Sequence, residues 1–362
     1  CAFTRSKSAC PAKCRTCHSV PSLPAATSSL SCPKSRHAAL HGRGIGLLIM
    51  TELHNYALPF RIEGQNVNGR VVKLNSLASD VLLRHDYPEA VNRLLGEALV
   101  LASMLGTMLK FDGRFILQLQ GSGPISMLMA DYTPEAGGVG GLRGFAQFDE
   151  AALQAALKAG SPPMALLGDK GHMAFTVDQG ADMERYQGIV PLEGDTLADA
   201  ALGYFERSEQ IGTALKLAAA PLLLPGGKTE WRAGGIVVQQ MAATGGVIDI
   251  ETPPEGDPEL IDDDWNRLEI LLQTTEDTEL LDSDVSGEAL AFRLFHEDGV
   301  RVFEPRALTF ACPCTRQRVL NMLAGLSDTD RTEMQAQETV EVRCEFCNEN
   351  YVFSPEEAFS AA

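Results

Sequence analysis

Residues 310–323 read FACPCTRQRVLNML, and residues 342–353 read VRCEFCNENYVF. Cys312 and Cys314 have one residue between them, Cys344 and Cys347 have two, and 29 residues separate the pairs. This C-x-C…C-x-x-C spacing points to a four-thiolate zinc site. A tetrahedral ion accepts two ligands from each short knuckle, and the chain between them forms a small layer of helix or strand. Four thiolates complete the set, so the nearby His296 is not required. The apolar residues between Thr309 and Phe353 are few: Val319, Leu320, Met322, Leu323, Leu326, Val340, Val342, Tyr351 and Phe353. A module this poor in core depends on its ion, whose binding is worth roughly 10–16 kcal/mol in zinc-finger peptides.

Paired ligands also carry a second chemistry. A metal holds cysteines as thiolates, the oxidisable form, and adjacent thiolates can close locally as Cys312–Cys314 and Cys344–Cys347 disulfides. Disulfide formation would remove the ligands and, with them, the module's main source of stability. A bond across one intervening residue closes a strained ring that is comparatively easy to reduce, so Cys344–Cys347 is expected to oxidise first. Pro313 narrows the backbone choices of the tighter turn. Spacing alone leaves three readings open: a structural zinc ribbon, a redox switch, and a thiol oxidoreductase using Cys344 and Cys347. The last lacks the βαβ context such enzymes need.

The chain has 362 residues, 45% hydrophobic and 22% charged, which suits two or three globular units. Its net charge of −18 argues against nucleic acid as the partner, since phosphate contacts need a basic footprint. No run of eighteen apolar residues exists to span a membrane. Charge is unevenly spread: residues 1–49 hold seven Lys or Arg and no acid, so the remainder carries 48 acids against 23 bases. That leader is rich in Ser, Cys, Pro and Ala, and an ordinary protein start follows at Met50. It reads as an upstream extension of the reading frame that is disordered or not native, with an organellar transit peptide as the alternative. Its Cys14-x-x-Cys17-His18 has the spacing of a haem or metal site but no structural support around it.

Residues 50–247 read as an α+β core domain of sheet and helix. In "YPEAVNRLLGEALVLASMLGTML", Val91, Leu94, Leu95, Ala98, Leu101, Ala102 and Leu105 share one broad face, so residues 87–109 form a core helix. Strands follow in "RFILQLQ", "ISMLMADY", "GLRGFAQF", "GHMAFTVD" and "RYQGIVPLEG", punctuated by glycines. The Gly cluster at 137–141 is followed by no Gly-Lys-Ser/Thr, so it reads as tight turns and not a phosphate loop. Asp195 and Thr196 offer a helix start. His54, His85 and His172 are isolated and read as surface or hydrogen-bonded residues. No catalytic constellation stands out, and no enzyme is expected.

Composition changes again over 248–308. Between Glu251 and Arg306 there are seventeen acids and four bases. Ile261, Trp265, Leu268 and Leu272 fall at i, i+4, i+7 and i+11, a single helical stripe. Such an acidic helical linker holds its structure while the stripe is docked and has little reason to stay ordered when it is not. A solvated acidic connector is the plainer alternative. Residues 309–362 form the zinc module.

The motifs "CPCTRQRVLNML" and "CEFCNENYVF" resemble the zinc-binding end of the heat shock protein 33 family, the redox-regulated holdase chaperones. The resemblance continues through "GSGPISMLMADY", "GLRGFAQF", "ERYQGIVPLEGDTLADAALGYFERSEQIGT", "GGIVVQQM", "WNRLEILLQTTEDTELL" and "RLFHEDGVRVFEP", covering residues 53 to 355. Thr315 stands where the family commonly has Ser, and the leader has no counterpart. The resemblance implies a cytoplasmic, ATP-independent chaperone, inactive when reduced and loaded with one Zn2+. Cys312, Cys314, Cys344 and Cys347 would be both zinc ligands and redox switch. Peroxide with heat, or hypochlorous acid, would form two disulfides, release the ion and unfold the linker. The protein would then bind unfolding client proteins as a homodimer and pass them, after reduction, to ATP-driven foldases. The stripe Ile261, Trp265, Leu268 and Leu272, or the face it covers, is the candidate client surface.

Overall fold

In this computed structural model the described residues are 54–109, 113–179, 185–209, 211–224, 226–241 and 258–359. The leader, with Cys14, Cys17 and His18, lies outside them, as does the side chain of Ile261. In chain order the strands and helices are β1 (Asn55–Ile62), β2 (Val67–Leu74), α1 (Ser76–Leu82), α2 (Glu89–Met108), β3 (Arg114–Gln120), β4 (Ile125–Pro134), β5 (Gly140–Phe148) and α3 (Glu150–Lys158). They continue with β6 (His172–Asp178), β7 (Tyr186–Pro191), α4 (Leu197–Tyr204), β8 (Thr213–Leu223), β9 (Thr229–Gln240), α5 (Pro258–Gln273), α6 (Asp277–Leu281) and α7 (Gly287–Phe295). The chain closes with β10 (Val300–Val302), β11 (Arg306–Phe310), α8 (Arg316–Ala324), α9 (Asp328–Gln335), β12 (Val340–Arg343), β13 (Asn350–Phe353) and α10 (Pro355–Phe359).

The α+β class read from the sequence is the one observed. One helix organises the core. α2 is buried nearly all round because apolar residues occupy more than a single stripe of it, and its Ser103 and Thr107 hydroxyls donate back to the carbonyls of Leu99 and Ser103. Close approach needs its glycines: a Cβ at Gly106 would sit 2.4 Å from the Tyr132 ring, and one at Gly96 2.7 Å from Ala219. α2 therefore lies flat against strands of both halves of the sheet.

That sheet has the order β7-β6-β3-β4-β5-β11-β1-β2-β9-β8, with β10 also paired to β1. The predicted strands at 114–120, 125–132 and 171–178 are β3, β4 and β6 to within two residues. Gly137 and Gly138, at φ of 78° and 81°, turn β4 into β5 as the sequence implied. Thr196 caps α4 in a capping box with Asp199. The sequence did not announce β10 and β11, which lie in the acid-rich stretch. β11 joins the halves of the sheet: Tyr56 and Ala57 pair with Ala307 and Arg306 on one edge, antiparallel. Leu308, Thr309 and Phe310 pair with Gly140, Gly141 and Leu142 on the other, parallel.

Opposite faces of β1, β2, β8 and β9 bury different partners. One face meets α1 and α2. The other, with Leu58, Phe60, Ile62, Val67, Val71, Ile236 and Val238, is covered by Leu268, Leu272, Leu280, Leu290, Leu294 and Phe295 from α5, α6 and α7. Leu268 and Leu272 are fully buried and Trp265 is half-buried. Lys73, only 2% exposed, projects from β2 through this layer. Its Nζ donates to the carbonyls of Glu279, Leu280 and Asp282 at 2.7, 3.0 and 3.1 Å, satisfying the last turn of α6. Burial pushes its pKa down to about 8, and Asp282 partly offsets that. Tyr56 Oη accepts from the Gly287 N–H at 2.8 Å, and Lys216 donates to the Thr275 carbonyl.

Replacing Lys73 by Met fills the space but strands three carbonyls, that of Leu280 fully buried, at a cost of about 1–3 kcal/mol. Hydrogen exchange in Lys73→Met is expected to quicken across residues 276–295 while α2 stays protected. Equal protection of 276–295 in variant and wild type would show that Lys73 does not hold the linker.

Candidate metal centre

Four sulfurs converge where the sequence placed them. The Sγ atoms of Cys312, Cys314, Cys344 and Cys347 all lie within 4.8 Å of one another. Cys312 and Cys314 follow the end of β11, where the Ala311 N–H still donates to Leu142 O at 3.0 Å. Thr315 then caps α8 by accepting from the Arg318 N–H. The second knuckle leaves β12 and turns back into β13. Cys344 N–H donates to Glu349 O at 3.0 Å and Asn348 N–H to Cys344 O at 2.8 Å. Asn348 takes a φ of 59°, which Asn tolerates better than most residues.

The donor set fits a divalent metal ion. Metal–sulfur bonds of 2.3 Å give a regular tetrahedron an edge of about 3.8 Å. Cys312 and Cys344 are 3.8 Å apart, Cys314 and Cys347 3.0 Å, so each close pair joins one knuckle to the other. In a tetrahedron every edge is equivalent, so this proximity selects no disulfide pairing. Burial and the neighbouring sulfurs raise the Cys347 thiol pKa. A divalent ion inverts that balance and keeps the sulfurs as thiolates. Beneath them the module's own core is small: Val319, Leu323, Val340, Phe353 and Ala358.

Residues of the core domain that no motif singled out also meet the centre. Arg143 on β5 donates from Nε and Nη2 to Asp131 Oδ2 at 2.9 and 2.6 Å. Its Nη1 reaches Cys312 Sγ at 3.8 Å, and its guanidinium lies 3.7 Å over the Phe346 ring. Burial raises the pKa of Asp131, and Arg143 opposes the rise. Phe346 sits inside the second knuckle and meets Phe145 edge-on, with centroids 4.7 Å apart. Tyr351 Oη donates to Cys314 Sγ at 3.3 Å. Around this slot Asn348 donates to Arg84 O at 2.6 Å, Gln147 to Glu345 at 2.9 Å, and His85 lies 3.4 Å from Phe346 O. The one available signal was Phe346, an aromatic between two ligands in an otherwise polar turn. Arg143 and Asp131 are separated from the cysteines by more than 160 residues and left none.

The structure brings together the four cysteines, and separately Trp265, Leu268 and Leu272. His54 and His172 stay apart from both groups. His85 stacks on Tyr87 at 4.6 Å beside the second knuckle. Among the described residues no helix is long and apolar enough to cross a membrane.

Comparison with known proteins now adds a family. The family model described as Hsp33 protein matches residues 55–354. The 33 kDa chaperonin of Caulobacter vibrioides is 40% identical over 299 residues, covering 82% of this chain and 93% of the relative. That of Pseudomonas fluorescens is 37% identical over 311 residues, covering 84% and 93%. The crystal structure of the 33 kDa chaperonin from Thermotoga maritima superposes with a TM-score of 0.65 at 23% identity, over 84% of this chain and 96% of that one, which speaks for the fold.

Loss of one ligand should empty the centre. Cys344→Ser is expected to retain no metal by elemental analysis, and circular dichroism should show loss of the α8–α9 helices. A metal-bound, fully helical variant would mean that three thiolates suffice.

Proposed function

Because the chain belongs to the Hsp33 family, we propose that it is a chaperone of the holdase type, gated by oxidation of its metal centre. The functional units are the core at 50–247, the linker at 248–308 and the switch at 309–362. In the reduced state Cys312, Cys314, Cys344 and Cys347 hold one Zn2+, which keeps the module folded. Oxidation by peroxide, with heat, or by hypochlorous acid closes Cys312–Cys314 and Cys344–Cys347. Each bond takes two electrons from its sulfurs and removes two ligands, so both together release the ion.

The observation that carries this reading is the place of β11. It is the seam of the sheet, it ends two residues before Cys312, and α5 to α7 precede it in the chain with the short strand β10 between. Unfolding of a module tethered this closely pulls at the seam and at the linker together. Lifting α5 to α7 uncovers Leu58, Phe60, Ile62, Val67, Val71, Ile236 and Val238, a contiguous apolar face of the kind that binds partners. Either that face or the freed stripe of Ile261, Trp265, Leu268 and Leu272 takes hold of an unfolding client. The oxidised protein works as a homodimer in the cytoplasm, and reduction returns clients to ATP-driven foldases. No hydrolysis or group transfer is needed, because binding alone prevents aggregation.

Aggregation of a thermally unfolding client, followed by light scattering, tests this directly. Oxidised protein that has released its zinc is expected to suppress it, and reduced zinc-loaded protein to leave it unchanged. Equal protection in the two states would sink the switch, and turnover of a disulfide substrate would favour an oxidoreductase. Leu268→Asp separates linker from metal. A carboxylate at this fully buried position disfavours docking by several kcal/mol, on the order of 3. The reduced, zinc-loaded variant is expected to protect clients. Its inactivity would mean that undocking is not the gate.

A further inference from the structure

The second knuckle sits on the core as a peptide sits on a receptor. β5 turns Arg143, Phe145 and Gln147, alternate residues of one strand, away from α2, and a Cβ at the intervening Gly144 would lie 3.1 Å from Leu95 and Leu99 of that helix. The knuckle lays Glu345, Phe346 and Asn348 along them. The Phe346 ring meets the Arg143 guanidinium at 3.7 Å and the Phe145 ring edge-on at 4.7 Å. Gln147 donates to the Glu345 carboxylate at 2.9 Å, Asn348 donates to the Arg84 carbonyl at 2.6 Å, and the Phe346 carbonyl lies 3.4 Å from His85 Nε2. Each receiving group belongs to the core, and each group received lies within residues 345–348.

We propose that this slot is a binding site for an aromatic residue of an unfolding chain, and that Phe346 is its resident occupant. The proposal rests on the holdase reading above and names one thing that the core grips. Folded proteins bury most of their aromatic rings and unfolded ones show them, so a clamp for rings tells the two apart. The clamp is built in advance. Arg143 is fixed by Asp131, whose side chain is 3% exposed, and both belong to the core, so the guanidinium keeps its aim when the knuckle departs. Phe145 is buried with Phe346 in place; once that ring leaves, its own face meets water until another ring covers it. A site already formed loses little freedom on filling. Met127 and Met129 on β4 pair with Gln147 and Phe145, so adaptable side chains flank the slot and suit rings set in varied sequences.

The contacts also define the ligand. The guanidinium attracts the face of a ring, and His85 Nε2 needs only a main-chain carbonyl, which every residue offers. Those two demands are general. Gln147 adds a preference for a side-chain oxygen directly before the ring, and the Arg84 carbonyl one for a donor two residues after it, as Glu345 and Asn348 supply. The site lies on β5, apart from the apolar face of β1, β2, β8 and β9 that α5 to α7 cover. One core thus offers two kinds of grip, and only this one carries a cation.

Fluorescence anisotropy of a labelled peptide of residues 341–350, carrying Cys344→Ser and Cys347→Ser so that it holds no metal, reads occupancy of the slot. Reduced wild-type protein, filled by its own knuckle, is expected to bind it weakly. The full-length variant with Glu345→Ala, Phe346→Ala and Asn348→Ala keeps all four cysteines and empties the slot, and it is expected to bind about tenfold more tightly. In that background Phe145→Ala and Gln147→Ala are each expected to weaken binding severalfold, and a peptide with Phe346→Ala to bind about tenfold less well. Reduced and carboxymethylated α-lactalbumin, a permanently unfolded chain, is expected to displace the peptide. Equal binding by wild type and emptied variant, equal binding of the peptide without its ring, affinity unmoved by both core substitutions, or a peptide that the unfolded chain leaves in place, each overturns the proposal. The slot is empty whether or not the emptied variant keeps its zinc. No oxidant enters the experiment, so failure of the redox gate leaves its outcome intact.

Discussion

The module downstream of β11 is gathered around four sulfurs that lie within 4.8 Å of one another. Apart from them, the described residues of the module supply five buried apolar residues and three short helices, far less apolar area than a chain of that length needs to offset its conformational entropy. A divalent ion held there would supply the difference and make folding and ligation one equilibrium. Chemistry at sulfur is thereby chemistry on the fold. Few other interactions in the molecule can be cancelled by a reagent as small as peroxide.

The consequence travels because of connectivity. A zinc module on a long tether would unfold alone. Here the chain enters it from β11, the strand that closes the sheet between β5 and β1, and the N–H of Ala311, the residue directly before Cys312, is still paired to Leu142. The linker helices sit on the same sheet a few residues earlier, on the face opposite α2. The half of the core that contains α2 does not share this dependence, since its glycine-mediated approaches to Tyr132 and Ala219 are made within the first 235 residues. Under the proposed function, the molecule divides into a part that stays folded and a part whose docking is conditional.

Periodicity and ligand spacing made much of this legible in advance. α2, β3, β4, β6 and the start of α4 follow from 3.6- and 2-residue patterns and from Thr196, all of which are local signals. The four cysteines were legible for the same reason, since each knuckle is a few residues long. β11 was not. Five residues in an acidic stretch carry too short an alternation, and what makes Arg306–Phe310 a strand is the pair of open edges waiting for it. Lys73 was hidden similarly, because a lysine in a strand reads as solvent-facing until three carbonyls from residues more than 200 positions away are placed around it. Arg143 and Asp131 belong to the same class. Their meaning is tertiary, and a one-dimensional pattern has no place to record it.

The linker's acidity follows from the same division. Seventeen acids against four bases between 251 and 306 repel one another, which by itself favours an open chain. In the docked state the core answers with cations aimed at backbone and carboxylate alike: Lys73 at the end of α6, Lys216 at Thr275 and near Asp277, Arg232 at Leu281 and Ser283. Each of these contacts exists only while the linker lies on the sheet, whereas the repulsion persists wherever the linker goes. Docking is therefore stabilised by a few buried donors and an apolar layer, and undocking is driven by charge already present in the sequence. Under the proposed function, a switch at sulfur needs to remove only enough stability to let that standing repulsion win. On that reading, the same acidity that weakens docking favours complete release of the linker.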